Sequence, residues 1–323
     1  MKIVTFYFKT IKEFIEKNNN LDYILFVASK TKIETQHLSL LSPNSFGAIF
    51  PEIIFKNSVY DEGVIAIQIN QNMKSYLIKD INNFTLSKEK FKNVKSIITI
   101  VEGFSSNNEH FLLKLFESVD IHTNIIGGGA GLVEDKKRAV IFDKNGFYNN
   151  SAILTTLKND IKIGVRHGWK FLEGPFIVTS CEGNILKKID YRNAFEVYKE
   201  IIEADCKVKV NKNNFSEISK NYPFGIVKYQ GEQIVRDPIS LEDNNLVLVG
   251  KISNNSVVNV LKGKKETLLN ATQEAVNVLL KEESDFVIMF DCITRKDFLK
   301  KNFQTELDTI FEQINPSTLI GAI

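Results

Sequence analysis

Two short segments gather the residues best suited to meet a ligand. GGGAG (127–131) offers consecutive backbone with almost no side chain, and GVRHGW (164–169) sets Arg166, His167 and Trp169, the chain's only Trp, around Gly168. Glycine at that density lets backbone take φ > 0 or approach a ligand closely, so both segments read as pocket wall, GGGAG as a loop closing a strand. GGGAG would hold a phosphate only if a helix followed, aiming its dipole and free N–H groups at the anion. LVEDKKRAVIFD follows instead, polar and then strand-like, which rules out the strand, GxGxxG and helix of a dinucleotide site. Gly127, Gly128 and Gly129 then either line a ligand pocket or form a turn that packs two lobes closely. His167 divides in the same way, between a polar contact or axial haem ligand and a core histidine bonded to a backbone carbonyl.

Two arginines stand at predicted strand ends, Arg236 after EQIV and Arg295 after FDCIT. Guanidinium groups in that position suit a bidentate carboxylate clamp. The alternative is an ion pair for each, Arg236 with Asp237 or Arg295 with Glu306. Cys292 abuts Asp291, but a catalytic thiol needs a base and a depressed pKa, and neither is visible. There is no GxSxG and no paired-carboxylate motif on a helix face, so no nucleophile or base is assigned and the expectation is a protein that is not an enzyme.

Composition narrows the class. The chain has 323 residues, 43% hydrophobic and 25% charged, long enough for two cores. Its 41 Lys and Arg are scattered among 39 acids for a net charge of +2, so nucleic acid is not an expected partner. Cys181, Cys206 and Cys292 lack CxxC or CxxH spacing, which argues against a disulfide framework or structural zinc. The N-terminus has no apolar run and cleavage site of an export signal, and no window suits a spanning helix, so a cytoplasmic setting without membrane in this segment is expected.

The elements that must position these groups follow from periodicity. Thr10 and Glu13 read as a capping box opening a short helix, and YILFVA (23–28) as a buried strand. A polar helix is expected near 33–41. FGAIF (46–50) and GVIAIQI (63–69) are strands with a loop containing Pro51 and Glu52 between them. Ser96 to Val101 is a strand, and Phe111, Leu112, Leu115, Phe116 and Val119 form the apolar stripe of a helix leading to the glycines. From 138 to 189 the turns KNG and EGN leave no room for crossover helices, so those strands are antiparallel. Beyond 190 come the helix NAFEVYKEII, strands at 224–228, 232–236, 245–250 and 257–261, a helix at 264–280, the strand DFVIMF and a helix near 302–314. The chain reads as α/β to α+β, two lobes with mixed, partly antiparallel sheets flanked by helices.

IIGGGAG, RAVIFDKNG, SAILTTL, GVRHGW, IVTSCEGNILKKID and NAFEVYKEII, in that order, resemble the FIST sensory proteins of bacterial signal transduction. The likeness continues through YPFGIVKYQGEQIVRDP (222–238) and FDCITRKDF (290–298), and the pairing of GVRHGW with VTxxxGN is its most specific part. The resemblance implies an N-terminal domain over 1–190 and a C-terminal domain over 191–323, cut short at its C-terminal strand. It further implies a sensor that binds a small molecule, such as an amino or organic acid, between its lobes and signals to an output module of histidine kinase, diguanylate cyclase or chemoreceptor type. The pocket would be lined by Gly127, Gly128, Gly129, Arg166, His167, Trp169, Tyr222, Arg236 and Arg295. FGAIFPEIIF stands where many relatives have a cysteine and small-residue loop, so Phe50 and Glu52 are expected on the pocket floor. No cofactor is expected on this reading. The rivals are a haem-based nitric oxide sensor with His167 as axial ligand, its apolar slot supplied by some of the 24 Phe, and an enzyme on an uncharacterised α/β scaffold.

Overall fold

The computed structural model describes residues 3–18, 20–85, 87–132, 138–229, 232–280, 286–314 and 318–323. They fall into two compact units, one of residues 1–164, 276–293 and 307–323, the other of 165–275 and 294–306. Strands and helices mix in the way the sequence pattern predicts, with sheets both mixed and antiparallel.

In the first unit, the all-apolar strand Tyr23–Ala28 lies between its parallel neighbour Phe46–Phe50 and the antiparallel Val64–Gln68. Burial on both faces explains why YILFVA carries no polar alternation. Thr10 caps the helix Ile11–Lys17 by accepting from Glu13 N, while the Glu13 carboxylate accepts from Lys9 N rather than closing the box on Thr10 itself. The predicted polar helix is a single turn, Thr35–Leu38. Pro51 and Glu52 do not open a plain loop. They lead into the hairpin Ile53–Phe55 and Ser58–Tyr60, which pairs with Thr318–Ala322 and through it with Phe286–Phe290. A further sheet runs in the order Met73–Ile78, Ala152–Leu157, Ser96–Glu102, Asn124–Ala130.

The last of these strands corrects the expectation of a glycine loop. Asn124–Ala130 is extended and pairs in parallel with Ser96–Glu102, Gly127 opposite Thr99 and Gly129 opposite Val101. None of Gly127, Gly128 and Gly129 has positive φ, so the glycines serve close approach rather than an unusual backbone. A Cβ on Gly127 would run into the Thr99 carbonyl, and one on Gly128 would lie 2.8 Å from the Phe290 ring.

The second unit is built on an antiparallel sheet. Its order is Ile234–Arg236, Phe224–Ile226, Val257–Lys262, Lys170–Glu182, Ile185–Ile189, Asn245–Leu248, Pro238–Glu242. Lys170–Glu182 is long enough to pair with Val257–Lys262 along its first half and Ile185–Ile189 along its second. Register shifts interrupt both ladders, and bulges of this kind bend a strand and curl its sheet into a half-barrel. The helix Ala194–Cys206, capped by Asn193 accepting from Glu196 N, buries Ala194, Tyr198 and Ile202 in the core of this unit.

Candidate functional site

GVRHGW lies in irregular backbone after the strand Ala152–Leu157, and one residue dictates its path. Gly168 has φ +74, and a Cβ there would meet Ala271 Cβ at 2.7 Å and the Thr267 carbonyl at 2.8 Å. Only glycine combines that backbone with contact against the helix Lys265–Leu279. The turn sets Arg166, His167 and Trp169 among charges that are distant in sequence.

Arg295 sits beneath them at 6% exposure, on the helix Ile293–Leu299 rather than at a strand end. Its guanidinium bonds Glu306 from Nε (3.1 and 3.2 Å) and from a terminal nitrogen (2.9 Å), the Leu268 carbonyl at 2.7 Å, Thr272 Oγ1 at 3.0 Å and the His167 carbonyl at 2.8 Å. Thr272 donates in turn to Glu306. The Arg295 and Glu306 ion pair raised as an alternative to the carboxylate clamp is therefore formed, and Glu306 is only 3% exposed.

The His167 amide donates to Glu232 Oε2 at 2.8 Å, and Nδ1 accepts from the Trp169 amide at 3.0 Å. An accepting Nδ1 carries no proton, which leaves the neutral ring with its hydrogen on Nε2, 3.8 Å from Glu232 Oε2. Burial holds the imidazole below its ordinary pKa, against the pull of Glu232 toward protonation. Arg166, partly exposed, spans Glu232 at 3.7 Å and Glu274 at 3.5 Å. Trp169 is buried, edge-on to Phe298 with ring centroids 5.5 Å apart.

Phe298 also borders a cleft of about 680 Å³ on this unit. Lys220, Lys265, Lys296 and Lys300 supply positive charge, Glu217 and Asp297 negative charge, and Asn221 an amide. Lys220 pairs with Asp297 at 2.6 Å. Lys296, Asp297 and Phe298 belong to the helix that buries Arg295, so one element serves both the ion-pair network and the cleft. Lys265 opens the helix Lys265–Leu279, where the helix dipole adds to the positive field.

The remaining expected residues have these places. Tyr222, next to Asn221, is buried with its hydroxyl donating to Asp205 at 2.6 Å and its carbonyl accepting from the Tyr198 hydroxyl. Burial first, then the Asp205 bond, raises its phenol pKa well above the usual range. Arg236 ends the strand paired with Phe224–Ile226 and donates from Nε to the Lys251 carbonyl at 3.0 Å. In the other unit, Phe50 is packed against Phe26 with ring centroids 5.1 Å apart, and the Glu52 carbonyl accepts from the Ile323 amide. Gly127, Gly128 and Gly129 stand in the strand already described. Cys292 is exposed, its amide bonded to Asp291.

The structure thus joins Arg166, His167, Trp169 and Arg295 in one network and adds Glu232, Glu274 and Thr272, which sequence reasoning missed. It also missed the lysines of the cleft. Their signal was present in the lysine density of GKKE (263–266) and RKDFLKKN (295–302). Among the described residues no group of three His, Cys, Asp or Glu is arranged to hold a metal ion, and no helix is long and apolar enough to cross a membrane.

Comparison with known proteins yields matches to two family models. One described as the FIST N domain matches residues 24–192, and one described as the FIST C domain matches 194–323. No curated protein and no solved structure matches the chain.

Proposed function

Because the chain belongs to the FIST family, whose domains are sensory domains of signal transduction, we propose that it is an input module taking a small amino or organic acid in the cleft beside Phe298. The observation that carries this reading is the cleft's mixed charge, with four lysines, Glu217 and Asp297 lining one concavity. Lys265 and Lys300 suit a ligand carboxylate, Glu217 suits an ammonium, and Phe298 offers an apolar face. A volume of about 680 Å³ lies in the range of small-molecule sites, roughly 300–1,000 Å³. The module signals to an output protein and catalyses nothing by itself.

Trp169 supplies the readout. An occupant resting on Phe298 shifts the packing of the indole edge behind it, so emission should change on titration. The expected result for one member of a panel of glutamate, aspartate, succinate and citrate is saturable binding by calorimetry with a matching emission shift. Lys265→Met with Lys300→Met should weaken it by about tenfold or more, the scale of a lost charge-assisted hydrogen bond. Binding that the double variant leaves unchanged moves the ligand site elsewhere. A Soret band retained through purification and shifted by His167→Ala would favour the haem reading instead.

A further inference from the structure

The first unit carries a second charged concavity, of about 400 Å³, in which positive charge is almost unopposed. Lys74, Lys90, Lys92 and Lys158 line it with the single acid Glu89. A surplus of three positive charges in one cleft is larger than the net +2 of the whole chain. All four lysines are exposed, and among the described residues none of them forms an ion pair. By contrast, Lys220 in the other cleft is neutralised by Asp297.

The fold holds these ammonium groups together. Lys74 and Tyr76 are two apart on the strand Met73–Ile78 and so share a face. The neighbouring strand pairs Leu157 with Met73, and the Lys158 amide donates to the Asn72 carbonyl, which sets Lys158 at the same end. Lys90 lies on the short 3₁₀ turn Lys88–Phe91, anchored by the buried Phe91, and its Nζ stands 5.0 Å from the centre of the Tyr76 ring. Ser87 adds a hydroxyl and Gln71 an amide. Four like charges gathered around a single acid repel one another, and a bound polyanion relieves that cost.

We propose that this cleft is a second site, independent of the acid site beside Phe298, for a free small molecule bearing a diphosphate or triphosphate group. Three or four lysines match the charge of such a chain, whereas one carboxylate would leave most of the surplus unmet. The cleft's size fits a small molecule, and a single concavity lacks the basic stripe that tracks a nucleic-acid backbone. Tyr76 offers a ring face at its side.

Calorimetric titration of the full chain with inorganic pyrophosphate and tripolyphosphate, sulfate serving as control, tests this. The expected result is saturable binding at one site, tighter for tripolyphosphate and weakened by added salt. Lys74→Gln with Lys158→Gln should weaken it by about tenfold or more, while Lys265→Gln with Lys300→Gln leaves it unchanged. These side chains are exposed, so thermal melts of the variants should match wild type. Absence of saturable binding overturns the proposal, as does equal weakening by both variant pairs, which would mark diffuse charge attraction. Binding to phosphoinositide vesicles without binding to soluble tripolyphosphate would assign the cleft to a lipid surface and likewise overturn it.

Discussion

Arg295 shows how burial decides what a charged side chain is for. Its guanidinium is spent on Glu306, Thr272 and two carbonyls, so its role is to hold the 167–169 turn and the helix Lys265–Leu279 together. Arg295→Met would leave the buried Glu306 carboxylate without its counter-charge, at a cost of about 3–5 kcal/mol. Adding Glu306→Leu should recover much of that loss, because removing both partners leaves no orphaned charge. Denaturant unfolding of the single and double variants measures both effects, and a near-neutral Arg295→Met would mean that the pair contributes little. Arg295 and Glu306 were legible in the sequence as a possible pair. Glu232 was not, because nothing local ties residue 232 to residue 167.

At the scale of elements, strand length and polarity were legible while glycine's purpose was not. Residues 127–130 look like a loop in sequence because glycine weakens strand preference, yet parallel pairing of Asn124–Ala130 with Ser96–Glu102 supplies the order that propensity lacks. What glycine provides there is room. Gly128→Val should force its side chain into Phe290 and destabilise the protein by about 1–3 kcal/mol, the usual cost of overpacking. Gly128→Val with Phe290→Leu should recover part of it, read as a shift in the unfolding midpoint. A wild-type midpoint for Gly128→Val would show that the strand moves aside at no cost.

The whole molecule contains separate cores, one drawing on Ile65 and its neighbours, another on Ile189 and its neighbours. Ile65→Val and Ile189→Val should each cost about 0.5–1.5 kcal/mol, and sites with no shared partners should add within roughly 0.3–0.5 kcal/mol. A coupling of more than about 1 kcal/mol, measured by a double-mutant cycle, would show that the cores respond as one. The sequence by itself determined many of the strands and helices, that sheets are mixed, and the family, because periodicity, turn residues and motif order are local properties of the chain. It could not determine that Arg295 is buried or that lysines from residues 74 to 158 gather in one cleft. Those outcomes depend on which strands pair and which side chains water can reach, and only tertiary packing sets the balance between desolvation and charge that decides a residue's role.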